Sequence, residues 1–108
     1  MIQRITAAHL QQLDNNQKDA LRNAWNPQEG EYIALGDHEE MIYYLNGVEK
    51  HKALPLLTIG QMIEYLYKLD TSFTLHYIPG EWLLSYSGTT IKNTELCNAL
   101  WEAMKAIL

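Results

Sequence analysis

The segment Glu95–Leu108 constrains the fold more than any other stretch of the chain. At 100° per residue, Leu96, Leu100, Ala103 and Ile107 fall on one helical stripe. Cys97, Trp101, Met104 and Leu108 fall on a second stripe beside it, and polar residues are confined to Glu95, Asn98, Glu102 and Lys105. With Ala99 and Ala106 the apolar arc spans roughly 220°, about twice the ~100° that a surface helix needs. Such a helix has to be covered on two sides. A sheet can cover the first stripe. The second calls for either an N-terminal helical hairpin, through Leu10, Leu13, Leu21 and Trp25, or another molecule. A two-fold homodimer through Cys97, Trp101, Met104 and Leu108, anchored on Trp101, is the expectation taken here.

The rest of the chain supplies the remaining elements. Thr6 caps a short helix through about Leu13, and Asp14-x-x-Gln17 has the spacing of a capping box for a second one. Ala20, Leu21, Ala24 and Trp25 form its apolar face, and Pro27 stops it. Tyr32–Leu35 reads as a strand, Gly36-Asp37 as a turn and Met41–Leu45 as a second strand. Asn46-Gly47 is the strongest hairpin signal, with a short partner strand expected around Val48. Thr58 and Gln61 box the start of a helix whose stripe is Ile59, Met62, Ile63, Leu66 and Leu69. Phe73–Ile78 and Trp82–Ser87 pair around Pro79-Gly80, so that Tyr77 faces Trp82 and Leu75 faces Leu84. Asn93 caps the last helix. The fold class predicted is α+β: a small, mostly antiparallel sheet of about four strands, helices on one face, an N-terminal helical hairpin and a C-terminal helix. A chain of 108 residues is expected to form a single domain, 1–108.

Composition narrows the functional classes. Thirteen acidic residues against eight basic ones leave a formal charge of −5, which repels phosphates at long range, so no nucleic-acid partner is expected. No apolar run reaches the ~20 residues of a membrane span, and the polar start lacks a secretory h-region. One cysteine, Cys97, allows no internal disulfide, and a cytoplasmic location is expected. Seven Tyr and three Trp against a single Phe favour half-buried rings with wet polar tips, either at an interface or on a sheet with one solvated face.

No residue set specifies a reaction. His9, His38, His51 and His76 show no i, i+4 metal spacing. His38-Glu39-Glu40 reads as a solvated charge run, and Cys97 as a small buried apolar side chain with no base provided for it. Gly88-Thr89-Thr90 lacks the lysine and spacing of a phosphate loop. Neither a catalytic set, a metal site nor a cofactor is expected.

Three segments, Pro27–Tyr32, Leu54–Glu64 and Glu95–Trp101, together resemble a family of small uncharacterised proteins carried by bacteriophages and prophages of Gram-positive bacteria; Leu57-Thr58-Ile59-Gly60-Gln61-Met62-Ile63-Glu64 is the most distinctive part. The resemblance implies a phage-linked setting in the host cytoplasm and no particular activity. The expected function is a non-enzymatic protein that binds another protein, such as a host or defence component. The alternative is a small-molecule or nucleotide-binding module whose pocket is walled by Tyr43, Tyr65, Tyr77 and Trp82.

Overall fold

The computed structural model describes all residues, Met1–Leu108. The class is α+β, with antiparallel strands arranged as two three-stranded sheets and helices packed alongside. The chain forms two compact units: Met1–Arg4 with Thr58–Ile107, and Ile5–Leu57 with Leu108.

The unit Ile5–Leu57 opens with two short helices, α1 (Ala7–Leu10) and α2 (Asn15–Ala24). The α1 start has an unusual box: His9 Nδ1 accepts from the Thr6 backbone N–H at 3.0 Å, the role Glu or Gln ordinarily fills. The helix ends sooner than the predicted Leu13. The Asp14 box is as predicted, with Gln17 N–H donating to Asp14 Oδ1 at 2.7 Å and Asp14 N–H to Gln17 Oε1 at 2.9 Å. Such a cap stabilises the helix by about 1 kcal/mol. Of the predicted apolar face only Leu21 and Trp25 are buried; Ala20 and Ala24 face solvent.

Three strands follow, β1 (Tyr32–Leu35), β2 (His38–Met41) and β3 (Leu54–Pro55), in the order β2-β1-β3. Leu35 pairs with His38, so Gly36-Asp37 is a two-residue hairpin turn, with Gly36 at φ +65° in its first central position. The second strand therefore begins at His38, three residues before the predicted start at Met41. Ile42 then faces both Gly30 and Glu31, accepting from Gly30 N–H and donating to the Glu31 carbonyl, each at 2.8 Å. Two residues opposite one is a β-bulge, and Gly30 at φ +89° supplies the left-handed residue. Past this bulge the chain leaves the sheet. Asn46-Gly47 is not a hairpin turn, nor does Val48 begin a strand: Leu45–Gly47 is a 3-10 turn closed by Gly47 N–H to the Tyr44 carbonyl. The core here gathers Trp25, Ile33, Ile42 and Ala53, with Leu35 and Val48 packed against it.

The unit containing Thr58–Ile107 holds α3 (Ile59–Leu69), β4 (Thr74–Ile78), β5 (Glu81–Tyr86), β6 (Thr89–Asn93) and α4 (Leu96–Ile107). Thr58 and Gln61 box the start of α3 as predicted, at 2.9 and 3.1 Å. Met62 and Leu66 are buried, Ile59 and Ile63 half-buried, while Leu69 at the helix end is exposed. The β4–β5 register is the predicted one: Tyr77 faces Trp82 and Leu75 faces Leu84, around Pro79-Gly80. A third strand, β6, extends the sheet to β4-β5-β6 and aligns Leu75, Leu84 and Ile91 in one cross-strand row. Asn93 ends β6, and its Oδ1 accepts from Glu95 N–H at 2.8 Å just ahead of α4. Helix α4 packs on α3, β5 and β6.

Candidate functional site

The stripe of α4 expected to form an interface lies largely within the core. Cys97, Trp101 and Met104 are enclosed by the chain itself, Trp101 being 2% exposed. Leu96, Ala99, Leu100 and Ala103 are buried as well, so both stripes of the helix are covered. Leu108 alone of the four keeps partial exposure. A side chain with no accessible surface offers a partner nothing to bind, and the wide apolar arc is explained by burial within one chain.

Burial also fixes the chemistry of Cys97. Desolvation pushes its thiol pKa up, with the Glu95 carboxylate adding to the shift in the same direction. The thiol therefore stays protonated and is a poor nucleophile. The polar runs are equally quiet. His38 and Glu40 lie on one face of β2 and pair with each other at 3.1 Å. Glu39 points the other way, and its Oε2 accepts from Ala7 N–H at 2.8 Å, at the start of α1. No group of three or more His, Cys, Asp or Glu side chains is placed to hold a metal ion.

The aromatic residues are what the surface presents. None of the seven Tyr is buried. Of the four expected pocket walls, Tyr77 and Trp82 come together: their ring centroids are 4.9 Å apart and tilted by 55°. They line an open cleft of about 430 Å³ with Met1, Thr94 and Glu95. The β4–β5 register positions the two rings, and the Tyr77 hydroxyl accepts from Gly80 N–H at 3.2 Å. The N–H of Ile2 donates to Glu95 Oε1 at 3.1 Å beside it. Tyr65, half-buried on α3, is not a wall of this cleft, and Tyr43 belongs to the other compact unit. Of the four residues, Tyr77 and Trp82 share this cleft.

No protein-family model, curated protein or solved structure matches this chain.

The most exposed aromatic residues lie in the other unit. Tyr43 and Tyr44 are 71% and 74% exposed, and Leu45 after them is 45% exposed. The bulge at Gly30-Glu31 ends the strand pairing at Ile42, so these three side chains leave the sheet together. The 3-10 turn that follows, and the Leu45 N–H donated to Glu29 Oε2 at 3.4 Å, hold the segment against the fold. Sequence reasoning named Tyr43 but placed it within a strand, where its neighbours would have pointed to opposite faces. The bulge overrides that alternation.

A second, smaller cleft of about 190 Å³ lies among α1, α2 and β1 and carries Lys18, Arg22 and Lys52 on its lining. Two of these cations are already engaged: Arg22 with Asp19 and Lys52 with Glu49, both at 2.9 Å. That leaves little free positive charge to recruit an anion.

Proposed function

We propose that this protein is a non-enzymatic binding module that engages another protein through the Tyr43–Tyr44–Leu45 segment, in the phage-linked host cytoplasm that the sequence resemblance implies. The observation that carries the reading is the run of three consecutive large apolar side chains held in solvent, 71%, 74% and 45% exposed. Tyr rings are rigid, cost little conformational entropy to immobilise and are enriched where proteins bind one another. Affinity capture from host lysate tests it. Wild-type protein should recover a stoichiometric partner, and the double substitution Tyr43→Ser, Tyr44→Ser should lose it with unchanged circular dichroism and melting temperature, because neither ring is part of the core. Equal recovery by both proteins would rule this segment out as the binding surface.

The Tyr77–Trp82 cleft supports a second reading, a small-ligand site. Its lining has the Glu95 carboxylate and no Lys or Arg. That favours a neutral or cationic aromatic compound over a nucleotide, whose phosphates would be repelled. A thermal-shift screen separates the two readings, since a ligand held in the native cleft raises the melting temperature by mass action. Hits that disappear in Trp82→Leu would establish the cleft as a ligand site.

A further inference from the structure

We propose that the open edge of β4 pairs with the same edge of a second copy of this chain, joining two β4-β5-β6 sheets into one continuous antiparallel sheet. The proposal is independent of the Tyr43–Leu45 reading and uses a different part of the chain.

Its basis is the way the four sheet edges differ. An exposed edge strand invites pairing with other chains, and proteins blunt such edges with charge, proline or brevity. Three of the edges here are blunted. Strand β2 presents His38, Glu39 and Glu40; β3 is two residues long and ends in Pro55; β6 carries Lys92. Strand β4 has none of these devices. Its residues are Thr74, Leu75, His76, Tyr77 and Ile78, with no acidic residue, Lys, Arg or Pro among them, and it pairs on one side only, with β5. His76, Tyr77 and Ile78 are exposed, and Tyr77 is 59% accessible. In a protein of net charge −5, this strip sets no carboxylates against each other where two copies would pair.

The strand is also complementary to itself. The two-residue turn Pro79-Gly80 makes Ile78 and Glu81 a hydrogen-bonded pair, and antiparallel pairs alternate. His76 and Thr74 therefore bond to β5, whereas the backbone N–H and C=O of Leu75 and Tyr77 point to the open edge. A two-fold axis beside His76 sets Leu75 opposite Tyr77 of the second copy, and Tyr77 opposite its Leu75. Each such pair exchanges both of its hydrogen bonds. On the helix-bearing face this gives two aromatic–aliphatic cross-strand contacts. On the solvent face it sets His76 beside its own copy, in the closely spaced non-hydrogen-bonded position. The self-pairing is isologous, so it closes at a dimer and does not propagate. A five-residue edge buries less than a standard interface, so the dimer is expected in the micromolar range or weaker.

Sedimentation of the full chain from micromolar to millimolar concentration tests this, with two substitutions. Tyr77→Pro removes an outward N–H and leaves the bonds to β5, a change that edge strands tolerate. Losing that bond on both sides of the axis should weaken association by about tenfold or more. His76→Cys places two thiols across the axis, with Cβ atoms about 4.5–5.5 Å apart, close to disulfide geometry. Cys97 is buried and does not compete. Mild oxidation should cross-link His76→Cys much faster than Thr90→Cys, an exposed control on β6. The proposal is supported by a reversible wild-type dimer that Tyr77→Pro dissociates and His76→Cys traps. A wild-type monomer at millimolar concentration overturns it, as does a dimer that a folded Tyr77→Pro leaves intact. Should Tyr77→Pro fail to fold, the cross-linking arm decides: equal rates for His76→Cys and Thr90→Cys place the interface elsewhere.

Discussion

Replacing Trp101 by Ala separates a core helix from an interface helix. Trp101 is 2% exposed, so folding removes nearly its whole side chain from water. A large aromatic side chain buries about 150–250 Å², which at ~25 cal/mol per Å² is about 4–6 kcal/mol. That is an upper figure, since the unfolded chain is already partly compact. Alanine keeps only one methyl of the contact, and the pocket left behind relaxes incompletely, so Trp101→Ala should cost about 3–5 kcal/mol. Total stabilities are about 5–15 kcal/mol, so the variant stands close to unfolding. Its melting temperature should fall by roughly 12 °C or more. Urea unfolding followed by far-UV circular dichroism measures the loss, and sedimentation at the same concentration reads the assembly state. A variant with the wild-type urea midpoint but a smaller sedimenting mass would return Trp101 to the surface and refute its placement in the core.

The remaining predictions concern the thiol and the turn between β5 and β6. Cys97 should react with a thiol reagent only after unfolding. Its pKa is raised by burial, so the native state holds the proton longer than the unfolded chain does. Any stability linked to it is complete below the unfolded thiol value and declines as pH rises past it, which denaturation across alkaline pH would reveal. Asp70 behaves in the opposite sense. The Ser72 hydroxyl, the Ser87 N–H and the Ser72 N–H, in that order, hold its carboxyl below the usual range. Its contribution is present above the unfolded carboxylate value and is lost as pH falls through the lower native one, so Asp70→Asn should flatten the acid limb of the stability curve. In the turn Ser87-Gly88, Ser87 sits at φ +48° and Gly88 at +78°, the backbone that Asn-Gly adopts most readily. Ser87→Asn should raise stability by about 0.5–1 kcal/mol in thermal or urea unfolding; a loss would show that the Ser87 hydroxyl matters more than the backbone preference.

Parts of the structure that close over a few residues were legible in the sequence. The boxes at Asp14 and Thr58 each need only a side-chain oxygen and a residue three positions on. The β4–β5 register followed from one two-residue turn, because a strand's period of two fixes every later pair once the tip is set. The two-residue β3 and the whole of β6 escaped, and β2 was placed three residues late. Both β2 and β6 are edges; β2 is exposed along most of its length, and β6 has a single apolar residue, Ile91, too few to show an apolar–polar alternation. Ser87-Gly88 followed by Thr89, Thr90 and Ile91 was the signal that could have revealed β6: a turn dipeptide ahead of β-branched residues.

By itself the sequence determined that α4 must be covered on two sides, that Cys97 is a small apolar residue by context, and that Tyr and Trp would matter at the surface. Only the tertiary structure decided what does the covering and which rings converge. Helical periodicity states that a face leaves water without naming its neighbour, and the same stripe serves a core or a dimer equally well. Likewise, Tyr77 meets Trp82 through a local hairpin, whereas the projection of Tyr43, Tyr44 and Leu45 depends on Ile42 bonding to Gly30 and Glu31, more than ten positions earlier in the chain. Such a bulge forms only where a distant strand supplies the opposing groups, so it has no signature in the residues it exposes.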